Sequence, residues 1–406
     1  MKRVADHLSD VLGRVGPLAP IDVGLLDAHG AVAAEDVIAP WALPQYDHAA
    51  LAGYALRAAD IASAGPGEPV TLPVVADIAA GDHGVHALGP GHAARVASGA
   101  PLPRGADTVV PTGLTDGGLA RIAVSAAVPL GANVRRMAED VAAGDIALQA
   151  GTYLGAAQVG LLAAVGKDRV TVRPRPRVVV LAVGSRLVEP GLPVSYGQVT
   201  DSTGHLLTVA AREAGATPFR VAAVPDDARV VRGTIEDQLV RADMLLLSGG
   251  LGEDGTVRSV LPGLGDVEFL EAAMEPGGTQ GFGVVGEEQV PVFALPGRPV
   301  DAFVAFEVFV RPVIRKMVGV SKLHRPTERA VLTQPVRSTP GRRQFARGRL
   351  HPTLEGTFTV DPLGTIEAPH LTDLARANVL VVVPEQTASL AAGEEVDCLL
   401  LERRRG

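Results

Sequence analysis

Three short turns in this chain carry residue types that could hold an anion: Val183-Gly184-Ser185-Arg186, Ser248-Gly249-Gly250 and Pro296-Gly297-Arg298. Each follows an apolar run, so each reads as the turn at the end of a buried strand. Small residues there leave backbone N–H groups open, and the arginines and serines add charge and hydroxyls. A glycine after a strand also simply permits a tight turn, so the argument rests on the three occurring together.

Two further stretches have turn-rich chemistry. "RVASGAPLPRGADTVVP" (95–111) offers Ser98, Gly99 and Ala100 before a proline, a geometry that could cup an oxyanion. "NVRRMAEDVAAG" (133–144) offers Arg135 and Arg136 with Glu139 and Asp140, which equally describes a solvated ion-pair network. The chain has no Walker lysine motif, no nucleophile elbow and no His-x-x-x-His pair.

The elements that must position these turns are legible as patterns. "RVVVLAVG" (177–184), "DMLLLSGG" (243–250) and "VPVFALPG" (290–297) are continuous apolar strands alternating with amphipathic helices. Strands buried on both faces with helical crossovers predict a doubly wound, mostly parallel sheet. Its carboxyl edge gathers the three turns into one crevice.

Elsewhere the chain changes character. Val4, Leu8, Val11 and Leu12 form one stripe of an opening helix interrupted by charge, which is neither a signal peptide nor a span. Residues 40–137 are punctuated by Gly and Pro between short strands. From about 321, "RAVLTQPV", "RRQFARGRL", "TFTVDPL", "NVLVVVPE" and "EEVDCLLLE" predict a small β barrel or sandwich. The fold class is therefore α/β plus β.

Bulk properties bound the function. A chain of 406 residues needs several cores. Apolar residues make up 47% and aromatics 3%, so those cores are built from Ala, Val and Leu. A net charge of -8 argues against nucleic acid or an acidic membrane surface as a chain-wide partner. Cys398 is the single cysteine, which excludes an internal disulfide and fits a reducing cytoplasm. No apolar run is long enough to insert across a bilayer.

Read together, these segments resemble the MoeA/gephyrin E-domain family of molybdenum-cofactor biosynthesis. "QYDHAALAGYALRAAD" is similar to its D-N-S-A-M-D-G-Y-A segment, "RVASGAPLPRGADTVV" to R-I-x-T-G-A-P-x-P-x-G-A-D-x-V-V, and "NVRRMAEDVAAG" to N-I-R-x-x-G-E-D-x-x-x-G. "GQVTDST" resembles G-Q-I-x-D/E-S/T-N, "VPDD" its V-x-D-D, "LLLSGG" its I-x-S-G-G, and "ALPGRPVDA" its L-P-G-N-P-V-S-A. The likeness spans about the whole chain.

The resemblance implies an elongated, intertwined homodimer of four-part protomers. It divides the chain into an α/β molybdopterin-binding-like domain (1–20 and 172–320), a linker or dimerisation domain (21–39 and 138–171), an inserted β module (40–137) and a C-terminal β barrel (321–406). It also implies transfer of molybdate into adenylylated molybdopterin with Mg²⁺, releasing AMP. Asp140 and Asp201 are the metal candidates carried over. Ser98, Gly99, Ala100, Gly184, Ser185, Arg186, Ser248, Gly249, Gly250, Pro296, Gly297 and Arg298 are the ligand-binding ones.

Several positions depart from the family pattern in one direction. Its catalytic-type acid is Ala52 here, its Thr-Gly-Asp/Ser-Glu turn is Val183-Gly184-Ser185-Arg186, and its Lys-Pro-Gly-Lys is Glu275-Pro276-Gly277-Gly278. Glutamate in place of lysine beside a pyrophosphate exchanges attraction for repulsion. Two functions follow: a molybdopterin molybdenumtransferase with a degenerate site, or a gephyrin-like dimeric scaffold. The scaffold would bind a peptide tail of a cell-division protein such as FtsZ.

Overall fold

The computed structural model describes residues 1–401 and contains two compact units, one of residues 1–21 with the chain from Thr171 onward, the other Asp22–Val170.

The first unit holds a six-stranded sheet in the order Thr217–Val224, Arg177–Val183, Met244–Ser248, Val290–Leu295, Thr279–Val285, Gly265–Glu271. The first four strands run parallel, with Val178 opposite Met244 and Leu245 opposite Val292. Their β-branched and leucine side chains are buried from Val178 to Val183 and from Met244 to Ser248, as two covered faces require. Helices Thr203–Ala214 and Ala228–Leu239 are crossovers, and Pro299–Ala305 continues through a π turn at Phe306–Val310 into Arg311–Val318. Asp227 caps the second helix by accepting from the N–H groups of Arg229 and Val230. Asp243 instead closes the strand start by accepting from Arg177.

The last two strands, at one edge of the sheet, are antiparallel, and periodicity does not announce them. The stretch "TQGFGVV" carries glycine where strand alternation would place side chains. The reason is steric: a Cβ at Gly283 would lie 2.0 Å from the Asp266 carbonyl oxygen. The loop of this hairpin then leaves the sheet. Met274–Glu275 pairs in parallel with Arg343–Gln344, adding a short strand to the neighbouring barrel.

That barrel is closed. Arg343–Pro352, Phe358–Pro362, Thr327–Leu332, Glu395–Leu400 and Val379–Val383 form a ring that returns to Arg343–Pro352. Closure leaves no free edge among these strands, and Val360, Val379, Val381 and Cys398 fill the interior.

The second unit has a five-stranded sheet in the order Thr108–Pro111, Gly53–Leu56, Ala93–Val96, Val70–Ile78, Arg121–Val124. Tyr54, Leu56, Ile61, Ile78 and Ile122 form its core. Ala156–Ala164 is the alanine-rich helix of this unit. No helix among the described residues is long and apolar enough to cross a membrane.

Candidate functional site

A cavity of about 1320 Å³ lies at the carboxyl ends of the parallel strands in the first unit, with the barrel as its opposite wall. All three small-residue turns line it: Gly184, Ser185 and Arg186; Ser248, Gly249 and Gly250; Pro296, Gly297 and Arg298. Neighbouring elements hold the turns in place. Thr203 Oγ1 donates to the Gly297 carbonyl at 2.9 Å, and the Asp226 N–H donates to Ser185 Oγ at 2.9 Å. A Cβ at Gly249 would come within 2.3 Å of the Val183 carbonyl oxygen, so the second turn packs directly against the first.

The charges around this cavity are unevenly satisfied. Four arginines line it (Arg186, Arg298, Arg342, Arg347) against six carboxylates (Asp201, Asp226, Glu271, Glu275, Asp301, Glu367), a formal excess of two acids. Arg342 pairs with Glu271 at 3.3 Å, and Arg298 with Asp301 at 2.7 Å. Arg186 meets no carboxylate among the described residues. Arg347 is the sharper case, because it is only 3% exposed. Its Nη2 donates to the Thr365 carbonyl at 2.8 Å, its Nε has no hydrogen-bond partner, and no carboxylate lies within ion-pair distance of it among the described residues, although Asp373 and Asp301 act on it from farther away. Burial lowers its pKa from the usual arginine value.

Near it, Gln344 Oε1 and Asp301 Oδ1 are also buried without hydrogen bonds. Burial raises the Asp301 carboxyl above its ordinary range, with Arg298 pulling the other way and Glu275 adding to the rise. Unpaired buried polar groups are costly, and the three on this cavity's wall, among twelve such atoms in the described residues, are placed where a ligand could answer them.

The Glu275–Gly278 loop forms another wall. Glu275 is held in the short strand against Gln344. A Cβ at Gly278 would sit 2.8 Å from the Ala272 carbonyl oxygen and 3.0 Å from that of Met274. The loop as built has no room for a lysine at 278 without moving backbone.

The second unit holds the remaining expected residues. Ala52 is exposed in the bend between His48–Ala49 and Gly53–Leu56. Asp47 anchors that bend, accepting from the Met137 N–H at 2.7 Å and from Arg136 Nη1 at 2.8 Å. Arg135 pairs with Glu139 at 3.1 Å and with Asp140 at 3.2 Å, so the arginine stretch is the solvated network.

The oxyanion cup expected at Ser98–Ala100 needs correction. The Gly99 N–H donates to the Ala49 carbonyl, the Ala100 N–H donates to the Ala97 carbonyl, and Ser98 Oγ donates to the Ala50 carbonyl. These donors brace the Ala52 loop and are already committed.

Magnesium of the kind that arrives on substrate phosphates needs only one or two free carboxylates. The two candidates do not fit that need. The Asp201 carboxylate is buried and accepts from the Gly204 N–H at 2.8 Å and from Arg220 at 3.2 Å. Asp140 is taken by Arg135. Among the described residues no group of three or more His, Cys, Asp or Glu side chains could hold a metal.

Sequence reasoning gave no role to Arg342, Gln344, Arg347 or Asp301. The available signal was "RRQFAR", where charged residues interrupt a strand whose other positions point into a closed barrel.

Known proteins resemble the chain over nearly its whole length. Residues 2–166 match the MoeA N-terminal region (domain I and II), 179–316 a probable molybdopterin binding domain, and 329–401 the MoeA C-terminal region (domain IV). Molybdopterin molybdenumtransferase 1 of Mycobacterium tuberculosis is 42% identical over 422 residues, covering 99% of each chain. Molybdopterin molybdenumtransferase 2 of the same organism is 39% identical, covering 98% of each. The crystal structure of a molybdopterin biosynthesis MoeA protein from Pyrococcus horikosii has a TM-score of 0.84 at 31% identity, covering 99% of each chain.

Proposed function

We propose a reaction from one premise: the chain belongs to the MoeA family of molybdopterin molybdenumtransferases. Adenylylated molybdopterin binds in the cavity at the carboxyl edge, molybdate enters the dithiolene end, and water splits the phosphoanhydride bond so that AMP leaves and the molybdopterin phosphate is freed. The observation that carries this reading is Arg347, a buried guanidinium with no carboxylate partner among the described residues, on the wall of a 1320 Å³ cavity. A buried cation of this kind is compensated when an anion arrives. The small-residue turns supply N–H donors for phosphate oxygens, and Arg186 and Arg298 supply exposed charge at the opposite wall.

The same reading makes turnover slow. Ala52 offers no proton-handling carboxylate, Glu275 places a negative charge where the pyrophosphate would lie, and the cavity has an excess of two acids. Loss of a general acid or base typically costs about 10²- to 10⁴-fold in rate. The protein acts as a cytoplasmic homodimer in this reading, with Mg²⁺ arriving on the substrate rather than held by the chain.

One observation favours the second reading, a dimeric scaffold that binds a peptide tail of a cell-division protein such as FtsZ. The Ala52 loop keeps its shape without its acid. A Cβ at Gly53 would lie 2.1 Å from the Val110 carbonyl oxygen, and buried Tyr54 donates to the Gly118 carbonyl at 3.1 Å.

The test is purified protein given adenylylated molybdopterin, molybdate and Mg²⁺, with AMP followed by chromatography and substrate affinity by calorimetry. Measurable binding with slow AMP release is the expected result. No binding, together with micromolar capture of the division-protein peptide, leaves the scaffold reading instead.

A further inference from the structure

The Arg298–Asp301 pair is the least expected feature of the cavity. In the family's L-P-G-N-P-V-S-A turn these positions are Asn and Ser, so this chain has added a cation and an anion three residues apart. The two are not equivalent. Arg298 has a side chain 75% exposed and free to meet a ligand, whereas the Asp301 side chain is 7% exposed and fixed beneath it. Asp301 Oδ2 is 2.7 Å from Arg298 Nη2, while its Oδ1 is buried with no hydrogen-bond partner.

The surroundings hold Asp301 in place. The Glu275–Gly278 loop packs on this helix so closely that a Cβ at Gly277 would be 2.5 Å from the Asp301 carbonyl oxygen. Glu275 and Arg347 are the other charges that bear on the carboxylate. An anion that reaches Arg298 therefore meets a guanidinium whose charge is already partly neutralised from within.

We propose that Asp301 is an internal counter-ion that competes with phosphate-bearing ligands for Arg298, and so sets the affinity of this cavity for its substrate's pyrophosphate. The proposal rests on the reading of the cavity as an anion site. It also runs opposite to the ordinary expectation for a buried ion pair. If Asp301 merely positioned Arg298, removing its charge would weaken ligand binding. As a competitor, removing its charge strengthens it.

Inorganic pyrophosphate is the probe, titrated calorimetrically at one fixed salt concentration into the full-length protein. Asp301→Asn should bind pyrophosphate at least fivefold more tightly than the unaltered chain, and Arg298→Gln at least fivefold more weakly. In an Arg298→Gln background, Asp301→Asn should lose most of its effect, because the competition has nothing left to act on. Asp301→Ser, which restores the family residue, should reproduce the tightening and serves if the Asn variant folds poorly by thermal melting. Tightening that persists undiminished without Arg298 overturns the competition. Unchanged or weaker binding in both Asp301 variants overturns the proposal while leaving the anion site standing. Absence of pyrophosphate binding in every protein overturns the proposal and the anion-site reading together.

Discussion

The cavity of the first unit and the Ala52 loop of the second unit treat their polar groups in different ways. In the loop the named groups are engaged: the Gly99 and Ala100 N–H groups and Ser98 Oγ donate to the Ala49, Ala97 and Ala50 carbonyls, while Arg135 and Arg136 pair with Glu139, Asp140 and Asp47. In the cavity Arg347 Nε, Gln344 Oε1 and Asp301 Oδ1 are buried and unanswered. A region that is finished without a ligand is scaffold. A region that stays electrostatically incomplete is where a ligand is expected to bind.

This contrast can be broken in order of expected effect. Gly53→Ala should cost about 3 kcal/mol in chemical denaturation, since its Cβ would overlap the Val110 carbonyl and the loop has no slack. A loss below about 0.5 kcal/mol would show that the loop is not the rigid brace described.

A buried base that serves no ligand sharpens the comparison. Burial pushes His7, beside Phe309, down to about 4, so the folded chain keeps it neutral while the unfolded chain protonates it near the ordinary value of 6.5. Its contribution is complete above pH 6.5 and is lost as pH falls toward 4. Relative to His7→Leu, the unaltered protein should lose about 3 kcal/mol of stability between pH 7 and pH 4. Parallel pH–stability curves would contradict this.

Arg347→Met tests the incomplete region directly. Replacing an unpaired buried cation by an apolar chain of similar length should leave stability unchanged or raise it by about 1 kcal/mol. Pyrophosphate affinity should fall about tenfold, or about 1.4 kcal/mol. Strong destabilisation would mean that Arg347 is structurally paired rather than waiting for an anion.

The smallest expected effect is Ala52→Asp on stability. Ala52 is exposed at the tip of its bend, so a carboxylate there should change the unfolding free energy by less than about 0.5 kcal/mol.

The parallel strands and the three turns were legible because buried strands write continuous apolar runs and tight turns demand small residues. The edge hairpin at Gly265–Glu271 and Thr279–Val285 was not, since close approach to Asp266 replaces the expected side-chain alternation with glycine at 283. Arg347 and Gln344 were recognisable as part of a motif but not as site residues. Their importance comes from what fails to pair with them, and only the folded chain reveals that. The Ser98–Ala100 turn misled for the same reason: its N–H groups look free in sequence and are spent in the fold.

If Ala52 and Glu275 limit turnover as proposed, Gly278 narrows how the rate can be raised. Because a side chain there meets the Ala272 carbonyl, the useful restoration is Ala52→Asp with Glu275→Lys, leaving Gly278 in place.

The most direct measurement is AMP released per site from adenylylated molybdopterin with molybdate and Mg²⁺, compared between the unaltered chain and Ala52→Asp/Glu275→Lys. A site that kept its cavity and lost its acid and cation predicts at least a tenfold faster release in the double variant. Equal rates in the two proteins would contradict the claim that these positions limit the chemistry.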